Sequence, residues 1–286
     1  MNKNCKLMMG AMLALASFSY GKAAFATSCA IPPTCEQLGY TMKVDECGES
    51  PILRCPFALS DNNKVFCGGT TENANQVVSI GAIVYGDGTV ASGVVTGKTP
   101  IGVVFDTANR LAVALTDVKK DGTAGSEYMY WSNSYYDIPS LPNCQYSDGD
   151  VAVDSCSPDG RSNTTLILAC GSGCGGTPAA TAANSYQPSG CTKDFCKKTK
   201  WFLPSMRDLA SIYALKAQVN ASLTLLSGSG AKTLTENYYW SSTEYDGYYA
   251  WRFNLSNGSR YFEVKNGDTY VRPVIDFSNL NSATGK

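Results

Sequence analysis

The sequence predicts an α+β domain, with antiparallel strands at both ends of the domain and helices between them. Three observations predict it. Runs rich in β-branched and aromatic residues fill 76–115 and 238–277, and helix signals are confined to the middle. No strand–helix–strand alternation appears, which argues against a parallel sheet. Two Asn-Gly pairs, Asn257-Gly258 and Asn266-Gly267, each lie between strand-like runs. Such pairs signal hairpins because both turn positions favour φ > 0. The last third, from Tyr238 to Phe277, therefore reads as a C-terminal β-meander.

The elements follow in chain order. Met1 to Lys6 is short and basic, Leu7 to Phe18 is apolar, and Ala24-Phe25-Ala26 is a small-x-small cleavage site. The apolar run is well short of the roughly 20 residues that cross a bilayer. Together these predict a secretory signal peptide over 1–26. Ala26-Thr27-Ser28-Cys29 is a degenerate lipobox with Ala at its first position, so a lipid on Cys29 is the rival expectation. Either way the chain is expected to be secreted or held at the cell surface after Sec-type export.

Residues 27–70 form a small Cys-rich module. The spacings Cys35-x11-Cys47, x7, Cys55 and x11, Cys67 bring four cysteines together in a segment too small to bury a core of its own. Disulfides are the expected staples in an oxidising compartment. A second group, Cys144, Cys156, Cys170, Cys174, Cys191 and Cys196, lies mid-chain. Twelve cysteines less Cys5 leave an odd number, and Cys29 is the candidate for the one outside the pairs. Zinc is a weak alternative, since no Cys-x2-Cys pair occurs and the chain has no His.

Residues 71–75 read as a polar linker, and 76–278 as the main domain. Val77 to Tyr85 is a strand closed by Gly86-Asp87-Gly88. Pro100 to Phe105 and Arg110 to Leu115 form a hairpin around Asp106 to Asn109. Trp131 begins another core-facing stretch. Residues 143–200 are a Gly- and Cys-rich insertion, with short helices at Thr164 to Cys170 and Pro178 to Tyr186. Ser205 and Asp208, after Pro204, form a capping box. Met206, Leu209, Ile212 and Tyr213 then recur at helical spacing, and a second helical stretch runs to Leu226, ended by Gly228.

Composition narrows function. A net charge of −1 argues against electrostatic binding of nucleic acid. The basic run Lys193 to Lys200 (KDFCKKTK) could meet an acidic polysaccharide, although a solvated loop tied by disulfides is the plainer reading. The absence of His removes the usual general base and the Ser-His-Asp triad. A two-carboxylate glycan-active enzyme has no supporting spacing. What stands out is a concentration of Tyr, Asn, Ser, Gly and Arg near the carboxyl end, the residue types of recognition surfaces. Trp251, Phe253 and Leu255 alternate inward, which turns Arg252 and Asn254 outward. The expected ligand face is Tyr245, Asp246, Tyr248, Tyr249, Arg252, Asn254, Arg260, Tyr261, Glu263 and Tyr270. Arg272-Pro273 reads as part of a strand near a sheet edge.

Several stretches also resemble a known family. Trp201 to Tyr213 (WFLPSMRDLASIY) resembles its W-[YF]-L-P-S-x-x-[ED]-L helix start. Tyr238 to Glu244 (YYWSSTE) resembles its Y-W-S-S-[TS]-E strand, Ala250-Trp251 follows, and Tyr270 to Phe277 (YVRPVIDF) resembles its closing V-R-P-V strand. Gly81 to Val90 and Lys98 to Phe105 resemble its opening strands. The chain is similar, over roughly Val77 to Phe277, to the Lcl C-terminal-domain family, a C-type-lectin-like group of bacterial exported proteins. The resemblance implies a C-type-lectin-like fold with a loop-rich ligand face, and an adhesin or binding role. Because they fall inside its motifs, it also implies that Trp201, Trp240 and Trp251 are buried framework and that Glu244 and Arg272 are structural anchors. Some relatives are variable proteins of diversity-generating retroelements, which implies that residues 245–270 are a hypervariable window. The calcium-binding sugar motifs E-P-N, Q-P-D and W-N-D are absent.

The leading expectation is a surface binding protein without metal or cofactor, whose partner is a protein or glycan on another cell or phage. A structural cell-envelope protein is the alternative.

Overall fold

The computed structural model describes residues 78–235 and 237–280. The expected signal peptide, Cys29, the module holding Cys35, Cys47, Cys55 and Cys67, and the 71–75 linker lie outside the described residues. The chain divides into two units, Met1–Ser79 and Ile80–Lys286, and the architecture is that of the second.

The fold is α+β. Strands β1 (Ile83–Tyr85), β2 (Val90–Ala91), β3 (Pro100–Asp106) and β4 (Leu111–Ala114) open it. Short helices follow: α1 (Val153–Cys156), α2 (Gly160–Cys170) and α3 (Pro178–Ser185). Then come β5 (Trp201–Phe202), α4 (Met206–Ala214) and α5 (Lys216–Leu225). The chain ends in β6 (Tyr238–Glu244), β7 (Tyr249–Asn254), β8 (Arg260–Val264) and β9 (Val274–Asp276). One sheet has six strands in the order β2-β1-β3-β4-β9-β5, and a second has three in the order β6-β7-β8. All pairings within them are antiparallel.

The hairpin expected around Asp106 to Asn109 is β3–β4, with Val103 opposite Val113. Asp106 accepts the Asn109 N–H at 2.9 Å and closes the turn. β4 is buried throughout, and β3 up to its last residue, which is why both read as almost unbroken apolar runs. The main core joins Val103, Phe105, Leu209, Ile212, Leu223, Trp251 and Phe253 from both sheets and both long helices. Each large side chain so buried is worth about 1.5–3 kcal/mol of transfer free energy.

Two expectations about the C-terminal third need correction. The antiparallel meander forms, but it has three strands and ends at Val264 rather than at Phe277. After Val264 the chain leaves the small sheet, and β9 enters the large one between β4 and β5. Pro273 sits just before β9, one strand in from the β5 edge of the large sheet, so the strand is near an edge as expected. Its carbonyl still accepts the Ala114 N–H at 2.9 Å, and lacking a donor costs nothing at that entry position. The Asn-Gly pairs also do not make two-residue primed turns. Of those four residues only Gly258 has positive φ, at 78°. Side chains shape the wider loop instead: Asn254 Oδ1 accepts Ser256 N–H at 2.8 Å, and Asn257 Oδ1 accepts Ser259 N–H at 3.0 Å.

The mid-chain cysteines pair locally as Cys144–Cys156, Cys170–Cys174 and Cys191–Cys196. Helix α2 begins four residues earlier than expected, because Asp159 caps it by accepting Arg161 and Ser162 N–H groups. The capping box of α4 forms as expected: Ser205 Oγ accepts Asp208 N–H at 3.1 Å, and Asp208 Oδ2 accepts Ser205 N–H at 2.8 Å. A methyl group on Gly160 would meet Asp208 Oδ2 and Ser205 N at 2.8 Å each, so the start of α2 presses directly on this cap.

Strand β6 is the fastener. Ser241, Ser242, Thr243 and Glu244 are polar yet fully buried. Ser241 Oγ donates to Trp251 O at 2.7 Å, in β7. Ser242 Oγ accepts from Asn163 Nδ2 of α2 at 3.2 Å, and Thr243 Oγ1 accepts the Met206 N–H at the head of α4 at 3.1 Å. Glu244 accepts the Ile138 N–H at 3.2 Å and pairs with Lys265, itself fully buried. Lys265 Nζ also donates to Tyr136 O at 2.6 Å and lies 4.8 Å from the Trp131 ring centroid. Burial pushes the Glu244 carboxyl up to about 7 and the Lys265 ammonium down, against the mutual attraction of the pair.

The tryptophans are framework, as expected. All four are inaccessible, and each indole N–H donates to a distant or irregular backbone carbonyl. Trp131 reaches Ser241 O at 2.7 Å, Trp201 reaches Cys196 O at 2.9 Å, Trp240 reaches Met129 O at 2.8 Å and Trp251 reaches Cys144 O at 2.8 Å. Arg272 is a buried anchor too. It donates to the carbonyls of Ala114, Leu115 and Lys232 at 2.8 Å each and to Asp117 Oδ1 at 3.1 Å.

Two outcomes are expected. Replacing Lys265 with Met strands a buried carboxylate, so Lys265→Met should cost about 3–5 kcal/mol in urea unfolding at pH 8. Adding Glu244→Leu should recover most of that loss, and equal losses for single and double variants would refute the coupling. Burial holds Asp208 at about 6, above its ordinary 3.8. The folded state thus gains a proton that the unfolded chain takes up only at lower pH, so its contribution to stability grows as pH falls from about 6 to 4. Relative to Asp208→Asn, which keeps an oxygen for the Ser205 N–H, the parent should gain about 3 kcal/mol between pH 8 and pH 4. A pH-independent difference would contradict this.

Candidate functional site

The small sheet has two faces, set by strand alternation. Trp251, Phe253 and Tyr249 of β7 share the inner face with their partners Phe262, Arg260 and Val264 of β8. Arg252 of β7 shares the outer face with Tyr261, and Ala250 shares it with Glu263. On β6, Trp240 lies opposite Arg252, which puts Tyr238 on the outer face as well.

The ten expected ligand residues do not form one face. Tyr245 and Tyr249 turn to the inner side, where Tyr245 stands 4.3 Å from Phe262 and 5.8 Å from Trp251, and Tyr249 stands 5.4 Å from Phe262. Aromatic packing is stronger there than anything solvent offers. Asn254, opposite Tyr238 on the outer side, is only 8% exposed and spends its side chain on the Ser256 turn. Arg260 is engaged by Asp154 at 2.9 Å and lies over the Phe253 ring at 5.1 Å. Asp246 accepts the N–H groups of Tyr248 and Tyr249 at 2.7 and 2.9 Å and so shapes the β6–β7 turn.

The remaining five gather with residues that the sequence reading missed. On the outer face Arg252 pairs with Glu263 at 2.8 Å and lies 4.2 Å over the Tyr238 ring, which meets Tyr261 edge-on at 5.6 Å. Arg252 Nε finds no acceptor. Beyond Glu263, the Asn266-Gly267 turn leads to the exposed Tyr135, whose hydroxyl donates to Asn266 Oδ1 at 2.7 Å. Tyr135 stands 5.4 Å from Tyr248, which is 62% exposed. At the other flank Tyr270 stacks on Tyr128 at 4.2 Å, and its backbone N–H donates to Tyr238 O. Hydrogen bonding with Tyr128 raises the Tyr270 phenol above its ordinary value.

Tyr128 and Tyr135 belong to a loop, 127–137, that also exposes Tyr130 and Tyr136. Between them Met129 and Trp131 are buried, and Met129 exchanges backbone hydrogen bonds with Thr269. The signal was present: Glu127 to Trp131 alternates exposed with buried residues at strand period, with tyrosines on the exposed side. The Lys265–Glu244 pair fixes this loop from beneath, through Tyr136 O and Ile138 N.

Chemically the face offers phenol rings, one guanidinium and amide or carboxylate acceptors. Its acids are already occupied, Glu263 by Arg252 and Asp246 by backbone donors. Among the described residues no group of three or more His, Cys, Asp or Glu could hold a metal ion. No described helix is long and apolar enough to cross a membrane. The arrangement suits contact and hydrogen bonding rather than bond making.

Comparison with known proteins agrees with the quoted residues from Trp201 onward. No curated protein matches the sequence. A fimbrial protein from Bacteroides ovatus ATCC 8483 is similar at 17% identity with a TM-score of 0.49, over 70% of this chain and 49% of that one. The chain thus spans about half the length of that protein, and the likeness is too distant to transfer function. Residues 162–275 match the model of the Lcl C-terminal domain. The match takes in α2, the α4 cap, the buried Ser-Ser-Thr-Glu strand and Arg272, so this chain contains an Lcl C-terminal domain.

Proposed function

We propose that the protein is an exported, surface-displayed recognition protein, and that its contact face is the outer side of the small sheet with the tyrosine loop beside it. The observation that carries this reading is convergence. Exposed tyrosines from 128–136 meet Tyr248 and Tyr270 from the far end of the domain, on a loop held by buried hydrogen bonds. Tyrosine gives a large contact at small entropic cost, and a pre-fixed loop lowers the cost of ordering on binding. The partner is a protein or glycan on another cell or phage, and the face needs no metal or cofactor.

Variation by a diversity-generating retroelement is the finer form of this proposal. Tyr245, Asn254 and Arg260 are engaged in packing or turns, so variation would concentrate at Tyr248, Arg252, Tyr261 and Glu263. A reverse-transcriptase gene beside this one, with a template repeat differing only at adenines, is the expected observation, and its absence removes the retroelement from the proposal.

Binding is tested on glycan arrays and whole cells, with Tyr238, Arg252 and Tyr261 changed together to Ala and, separately, Tyr135 and Tyr248. Each variant should lose at least about tenfold in affinity, the equivalent of 1.4 kcal/mol, with its melting temperature nearly unchanged. Retained binding would overturn the assignment of the face. Failure to find any partner would favour a structural role in the cell envelope.

A further inference from the structure

A cleft of about 790 Å³ lies away from the tyrosine face, against β5. It is walled by α2, α3, the 191–200 loop and the residues after β9. We propose that this cleft is a second binding site, for a saccharide that carries carboxylate groups.

Charge is the first reason. Lys193 and Lys200 line the cleft, and neither has a salt-bridge partner among the described residues. The loop that supplies them holds Lys193, Lys197, Lys198 and Lys200 against Asp194 alone, a local charge of +3 in a chain whose net charge is −1. The other ionic groups in the cleft are neutralised, Arg161 by Asp276 at 2.7 Å and Asp194 by Lys197 at 2.6 Å. The available cations are therefore lysines, point charges that attract an anionic group without requiring bidentate geometry, while the one guanidinium fork is occupied.

The walls supply the second reason. Thr165, Thr199 and Asn184 bring hydroxyl and amide groups to the cleft. Asn184 Nδ2 donates to Trp201 O at 3.2 Å, which leaves its carbonyl oxygen to accept. The Trp201 ring is fully buried, so it offers no apolar platform. A ligand dense in hydroxyls fits these walls better than a flat apolar one, and the volume is within the usual 300–1,000 Å³ of ligand sites.

Rigidity is the third. The basic loop is not a loose solvated strand. Cys191–Cys196 closes it, Thr192 N–H donates to Gly86 O at 3.0 Å, and Trp201 Nε1 holds Cys196 O. A methyl group at Gly86 would lie 1.9 Å from Gly190 O, so the loop packs directly on the β1–β2 turn. Thr199, a β-branched residue, is held at φ 73° by its N–H donating to Asn184 O at 2.7 Å. Such a conformation is costly for a β-branched residue and persists where the surroundings over-determine it. Here the strained residue and Lys200 beside it both line the cleft.

Isothermal titration of the purified protein with trigalacturonate, neutral galactotriose and glucose 6-phosphate tests the assignment. Trigalacturonate should bind, more weakly as salt rises, and galactotriose should not. Lys193→Ala with Lys200→Ala should weaken binding about tenfold or more, at an unchanged melting temperature. The Tyr238, Arg252 and Tyr261 variant should bind trigalacturonate like the parent, which separates this site from the tyrosine face. Equal binding of the neutral sugar, binding of the phosphate alone, no binding at all, or indifference to the lysine pair would each overturn it.

Discussion

The structure depends on one buried polar strand. From Trp240 to Glu244, five consecutive side chains each satisfy a different segment: the 129 loop, β7, α2, the head of α4, and the 138 loop with Lys265. Burying so many polar groups is costly unless each is paired, and here each is. The ladder between β6 and β7 is interrupted between Trp240 and Glu244, which frees backbone groups for outside partners. Ser242 N–H accordingly donates to Pro204 O, and Ser241 O accepts the Trp131 indole. A strand that would otherwise be one of three in a small sheet becomes the point where loops, helices and both faces are referenced to one another.

That arrangement explains what was legible beforehand. The α4 cap, the β3–β4 hairpin and the inward Trp251, Phe253 and Leu255 follow from local chemistry, and all were readable. Trp201, Trp240 and Trp251 were readable as framework through the family motifs that hold them. What was not legible required knowing which segment lies beside which. Nothing local says that Lys265 turns inward, because its partner stands 21 residues away and its cover comes from 131–138. Once Lys265 is drawn in, the chain cannot continue as a meander, and β9 joins the other sheet.

The candidate face shows the same division. Composition drew attention to the carboxyl-terminal strands but could not assign sides. Tyr245 and Tyr249 look identical to Tyr248 in sequence, yet two pack on Phe262 and one faces water. Asn254 keeps the side that alternation assigns, but the turn that follows takes its amide and buries it. Conversely, the loop 127–137 carried a visible period of two, and its tyrosines became meaningful only when the structure set them beside Tyr248 and Tyr270. Recognition surfaces built from distant segments are hidden from any reading that moves along the chain.

The indole clamps have a kinetic consequence. Three of them join residues 107 to 111 positions apart, so none can form until the carboxyl-terminal strands exist. Chains dominated by such distant contacts fold slowly, since loop closure must precede any gain. A polypeptide crossing a membrane from its amino end would emerge with Met129 and Cys144 waiting for partners still on the other side. Slow maturation, completed only once the carboxyl-terminal strands are available, is thus written into where the tryptophans reach.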